Sequence, residues 1–119
     1  MAVMSPRSPV PDAAQVLRDR YTRRLPTRLE DLTGPAHGTV DLPLHVVWSG
    51  RRSYDLTGLK SRISLYRTVL AEGQRQDLEV FLNRDLLISQ WPILRTLISR
   101  FIRDAWEDAF PELAHAKAP

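Results

Sequence analysis

Apolar and polar positions along the chain change period at recognisable points. Ala14, Leu17, Tyr21 and Leu25 recur every three or four residues, one apolar stripe on a helix over about 13–25. Asp12 precedes it with Gln15 three residues on, a capping-box-like start, and Pro26 ends it. Thr27 to Glu30 can form a further helical turn, and Thr33-Gly34-Pro35 with Gly38 marks a loop. The period then becomes two. Val40, Leu42, Leu44, Val46 and Trp48 alternate with Asp41, Pro43, His45, Val47 and Ser49, which predicts a half-buried strand with Trp48 on its inward face. Pro43 cannot donate to a ladder, so the strand is expected at an edge or with a bulge. Ser49 to Arg52 reads as a turn and Ser53 to Leu56 as the return strand of a hairpin.

From Leu59 the period is helical to the end. Leu59, Ile63, Tyr66 and Leu70 step by four, three and four, and Gly73 stops that helix. A short helix carries Leu78, Phe81 and Leu82 and closes near Asn83, after which Asp85 can cap a third. Leu87, Trp91, Leu94, Ile98, Phe101, Ala105 and Ala109 continue the stripe. Pro92 lies inside it, which predicts a kink or two helices meeting near Ser89–Trp91, and Pro111 is expected to stop the last helix. The pattern therefore predicts a helix-dominant α+β fold, a short β-hairpin packed against three to five helices. Residues 1–11, with Pro6, Pro9 and Pro11 and little apolar material, read as a disordered lead. Residues 12–113 read as a single globular domain and 114–119 as a flexible tail. No repeat is visible.

Composition narrows the chemistry. At 119 residues with 43% hydrophobic and 26% charged residues the chain is ordinary globular material. It has no cysteine, which excludes disulfides, thiolate metal sites and a cysteine nucleophile. The N-terminus lacks the apolar run of a signal peptide, and Leu86–Phe110 is broken by charges, so a cytoplasmic protein with no membrane span is expected. No phosphate loop, dinucleotide fingerprint or metalloprotease motif occurs, so neither an enzyme nor a cofactor is expected. His45, on the polar face of the expected strand, has no partner nearby in sequence to orient it for catalysis. Asp104, Glu107 and Asp108 could suggest a metal site, but Arg100 and Arg103 stand four residues before Asp104 and Glu107, and ion pairing explains the acids more simply.

Of 17 basic residues 15 are arginine, and the net charge is +3. Arg18, Arg20, Arg23 and Arg24 crowd one helix, and Arg51-Arg52 stands beside Trp48 and Tyr54, which admits a small arginine-rich nucleic-acid-binding protein. Val69 to Leu82 superficially resembles a helix–turn–helix, but its second helix opens Gln76-Asp77-Leu78-Glu79, poorly suited to the major groove. A protein partner fits better. Arg51, Arg52 and Tyr54 at the hairpin tip are the candidate partner-binding residues, since two adjacent arginines there have only Asp55 nearby to pair with. The aromatic face of Trp91, Trp106 and Phe110 is the alternative interface, or else core.

The runs Val40 to Ser49, Tyr54-Asp55-Leu56, Leu65 to Leu70, Phe81 to Leu87, Trp91-Pro92 and Ala105 to Pro111 carry a resemblance over about residues 25–113. The chain resembles small bacterial proteins encoded beside nucleotidyltransferase-like toxins of the AbiEii type. The resemblance implies an antitoxin or accessory partner in a toxin–antitoxin system, a non-catalytic protein-binding module. It supplies no catalytic residues. The winged-helix DNA reader common among antitoxins of that class is not evident here.

Overall fold

The computed structural model describes residues 12–47 and 50–116. Among the described residues six helices dominate, with one two-stranded antiparallel hairpin packed against them, an α+β fold. In chain order these are α1 (Ala13–Arg24), β1 (Thr39–Asp41), β2 (Ser53–Asp55), α2 (Leu59–Glu72), α3 (Arg75–Phe81), α4 (Arg84–Leu97), α5 (Arg100–Ala109) and α6 (Pro111–Ala116). A short 3-10 turn at Leu29–Asp31 follows α1.

Helix α1 begins where its cap predicts. The Asp12 carboxylate accepts from the Gln15 N–H at 2.7 Å. The Gln15 side chain does not return the bond and reaches Asp19 instead, at 2.9 Å. No residue of α1 itself is buried; Leu25, just past its end, is the first core residue.

The strand is shorter than its alternation predicts. Thr39, Val40 and Asp41 pair with Asp55, Tyr54 and Ser53, and the Leu42 N–H adds a bond to the Arg52 carbonyl at 2.9 Å. The ladder ends there, and Pro43 begins a turn. Its carbonyl instead accepts from the Val46 and Val47 N–H groups at 3.0 and 3.1 Å, so 43–46 form a turn. Val40, Leu42 and Val46 face inward as expected, but Leu44, on the outside of that turn, is 59% exposed. Trp48, expected on the inward face, lies outside the described residues, as do the predicted lead 1–11 and residues 117–119. Gly50, at φ 85°, takes the left-handed conformation needed to bring the chain back into β2.

The core lies between the hairpin and α2, α4, α5 and α6. Leu65, Tyr66 and Val69 of α2, Leu87, Trp91 and Leu94 of α4, and Ile102 and Trp106 of α5 are all buried. Asn83, rather than Asp85, caps α4, accepting from the Leu86 N–H at 3.1 Å, while Asp85 stays exposed in the first turn. Pro92 does not divide the helix. α4 runs through it, because Trp91 and Leu94 on either side are both seated in the core. The break comes later, at Ile98–Ser99, where the Ser99 hydroxyl accepts from the Ile102 N–H and starts α5. α5 ends at Ala109, just before Pro111 as expected, but Pro111 also opens a further helix. It occupies the first position of α6, where a missing N–H costs nothing, and Leu113 is fully buried beneath it.

Candidate functional site

The hairpin tip is held internally. The Arg51 guanidinium lies over the Tyr54 ring at 4.9 Å and donates to the Ser53 carbonyl at 2.9 Å and the Ser61 hydroxyl at 2.8 Å. Arg52 Nε donates to the Leu42 carbonyl at 3.2 Å. Tyr54 is buried, and its hydroxyl donates to the Arg51 carbonyl at 2.9 Å. Counting only carboxylates as arginine partners is what misleads here, because carbonyls and hydroxyls serve as well. Tyr54 offers no ring to a partner, although Arg51 and Arg52 remain exposed. Asp55 is used locally too. Its carboxylate accepts from the Thr57 N–H and hydroxyl at 2.9 and 2.8 Å, and these bonds lower its pKa.

The aromatic face is core rather than surface. Trp91, Trp106 and Phe110 stack in sequence, with ring centroids 6.5 and 5.5 Å apart, and all three are buried. One Glu107 oxygen accepts from the Trp91 indole N–H and from Arg95 Nε, both at 2.8 Å, tying α4 to α5. The Glu107 bond also raises the Arg95 pKa above its ordinary value. Ion pairing accounts for Glu107 and Asp104 among the C-terminal acids, but with different partners. Glu107 takes Arg95, and Asp104 takes its neighbour Arg103 at 3.4 Å. Among the described residues no three His, Asp or Glu side chains converge as a metal site.

His45 does have a partner, brought from 32 residues away. Its Nε2 lies 2.9 and 3.0 Å from the two carboxylate oxygens of Asp77. Asp77 also accepts from the Gln74 N–H at 2.8 Å, closing the start of α3. The pair fastens the 43–46 turn to α3, and among the described residues no hydroxyl is bonded to His45.

Two open surfaces carry chemistry. Between α2 and α4 lies a concavity of about 340 Å³ lined by Leu59, Lys60, Ile63, Ser64, Arg67, Ile93 and Leu97. Leu59, Ile93 and Leu97 are 51, 46 and 42% exposed. Leu59 and Ile63 are one turn apart on α2, as Ile93 and Leu97 are on α4, so two short apolar ridges flank one trough. It continues past Ser64, Arg67 and Leu97 into a second hollow of about 490 Å³, which reaches Tyr21, Glu72 and Ile102. The sequence held a sign of this surface. Ile93 and Leu97 form an apolar pair of their own, off the Leu87–Trp91–Leu94 stripe, which makes α4 more apolar than one buried face requires.

The second surface is basic. Arg20, Arg23, Arg24, Gln74, Arg75 and Gln76 surround a concavity of about 590 Å³ where the end of α1 meets the start of α3. Three of these arginines were visible as a crowd on one helix, but Arg75 is added only by the fold. No helix among the described residues is long and apolar enough to cross a membrane. No family model, no curated protein and no solved structure matches the chain.

Proposed function

We propose that this chain is a non-catalytic protein-binding module acting in the cytoplasm, and that the trough between α2 and α4 receives its partner. The observation that carries the reading is the exposure of Leu59, Ile93 and Leu97 side by side along one concavity. Contiguous apolar surface with a polar rim is the signature of an interaction site, whereas isolated exposed apolar residues such as Val16, Leu44 and Val80 need no explanation. Lys60 and Arg67 line the trough with positive charge, which calls for an apolar segment flanked by acids. A second copy of the chain, pairing the same face with itself, would set these cations against each other. The resemblance supplies a partner of suitable class, a nucleotidyltransferase-like toxin, with this chain as its antitoxin or accessory subunit. Metal-binding carboxylates make such a partner acidic near its catalytic cleft.

Co-expression with a nucleotidyltransferase-like protein, of the kind the resemblance places in a neighbouring gene, tests the reading. The two proteins are expected to co-purify, and Ile93→Asp/Leu97→Asp, which adds charge at two exposed positions, is expected to abolish the complex while leaving the fold intact by circular dichroism. Failure of the wild-type proteins to associate would remove the nucleotidyltransferase as partner. A complex that survives the double substitution would remove the trough as its surface.

A further inference from the structure

The concavity between α1 and α3 is lined by arginine and glutamine alone, and among the described residues none of Arg20, Arg23, Arg24 and Arg75 is in an ion pair. Two of the four are fixed in place by backbone carbonyls. Arg24 donates to the Ala71 carbonyl at 3.2 Å, and Arg75 to the Arg23 carbonyl at 2.9 Å. A guanidinium has five N–H donors, so each keeps further donors for a ligand while its position is already set. Four cations sharing one hollow without a carboxylate repel one another, and an anion relieves that repulsion.

The lining also specifies the kind of anion. Arg20 and the Arg23–Arg24 pair lie one turn apart on α1, about 5 Å along the axis, so they follow a run of negative charges rather than a single one. No apolar side chain lines the hollow to serve as the core of a protein interface. No aromatic ring lines it to stack an unpaired base. Arginine forks with amide groups beside them match phosphodiester oxygens. We infer that Arg20, Arg23, Arg24 and Arg75 form a site for the phosphate backbone of double-helical nucleic acid, bound without sequence preference. The inference is independent of the protein-binding reading, because the two surfaces share no residue.

Fluorescence anisotropy on the full chain tests it, with labelled duplex DNA, duplex RNA and a single strand of equal length, between about 50 and 200 mM salt. Both duplexes present the same phosphates, and separate titrations identify which the protein prefers. Duplex binding is expected with a log–log salt slope between about −2 and −4, set by up to four phosphates contacted. Arg20→Glu/Arg23→Glu alters two exposed side chains and keeps the Arg23 carbonyl that holds Arg75. It should weaken duplex binding at least tenfold. The milder Arg20→Gln/Arg23→Gln should reduce the slope by about 2 without reversing charge. Lys60→Glu, in the α2–α4 trough and about 16 Å along α2 from the Ala71 carbonyl that holds Arg24, should leave affinity within about threefold, since exposed charges beyond a screening length contribute little. No duplex binding at the lowest salt, a preference for the single strand, or an equal loss in Lys60→Glu would each overturn the inference.

Discussion

Glu107 holds α4 and α5 together, and its removal has a calculable cost. Its carboxylate is 11% exposed and accepts from Trp91 Nε1 and Arg95 Nε on one oxygen. Glu107→Ala leaves the Trp91 N–H, on a side chain with no exposure, without an acceptor. A buried donor stranded in this way costs about 1–3 kcal/mol. Arg95 is 25% exposed and can turn to water, so the lost ion pair adds less than about 1 kcal/mol. Lost burial of the Glu107 stem adds a further ~1 kcal/mol. The sum, about 2–5 kcal/mol, corresponds to a fall in melting temperature of about 8–20 °C for a domain of this size. Glu107→Gln keeps an acceptor for Trp91 and should cost about half as much. Calorimetry and urea titration of the two variants measure both. A double-mutant cycle with Arg95→Ala should return a coupling of about 1 kcal/mol. A Glu107→Ala protein within about 0.5 kcal/mol of wild type, the range of ordinary surface substitutions, would refute the reasoning.

Other expectations follow from buried contacts. Burial raises the Tyr66 pKa to about 12 from the ordinary 10, so its contribution to stability is whole below pH 10 and disappears between pH 10 and 12 as the unfolded chain ionises first. That loss amounts to about 2–3 kcal/mol, and denaturant titrations across the range should lose this component in Tyr66→Phe. At neutral pH the same variant should cost about 1–2 kcal/mol, because the Asn83 N–H donates to the Tyr66 hydroxyl at 2.9 Å. Gly34→Ala should destabilise by about 2–3 kcal/mol, since a Cβ there would stand 2.5 Å from the Phe81 carbonyl carbon and 2.7 Å from the Leu82 nitrogen, both backbone atoms. An unchanged urea midpoint for Gly34→Ala would contradict that packing.

The elements most legible in the sequence are those whose local chemistry and burial agree. Asp12 with the stripe to Leu25 locates α1, and the Leu59–Leu70 stripe with Gly73 locates α2, each to within a residue. The return strand at Ser53–Asp55 is legible too, but its register is not, because β1 covers only Thr39–Asp41 and pairs Val40 with Tyr54. Alternation fails at Leu44 because the chain turns at 43–46, where the Pro43 carbonyl accepts from the Val46 and Val47 N–H groups, whatever the side-chain pattern. The prolines are legible only in part: α4 continues through Pro92 rather than dividing there, and Pro111, which follows the end of α5, also starts α6. The surfaces were the least legible. Arg51 finds its partners in Ser53 and Ser61, and His45 finds Asp77, through contacts that sequence distance conceals. The basic concavity needs Arg75 brought to the end of α1, and the apolar trough needs α2 laid beside α4.

Hydrogen–deuterium exchange on the protein alone and in complex with its proposed nucleotidyltransferase-like partner tests, residue by residue, whether the α2–α4 trough is the partner surface. New protection is expected in the peptides covering Leu59–Arg67 and Ile93–Leu97, with the hairpin tip at 50–53 unchanged. Protection at the hairpin tip, with none along the trough, would contradict it.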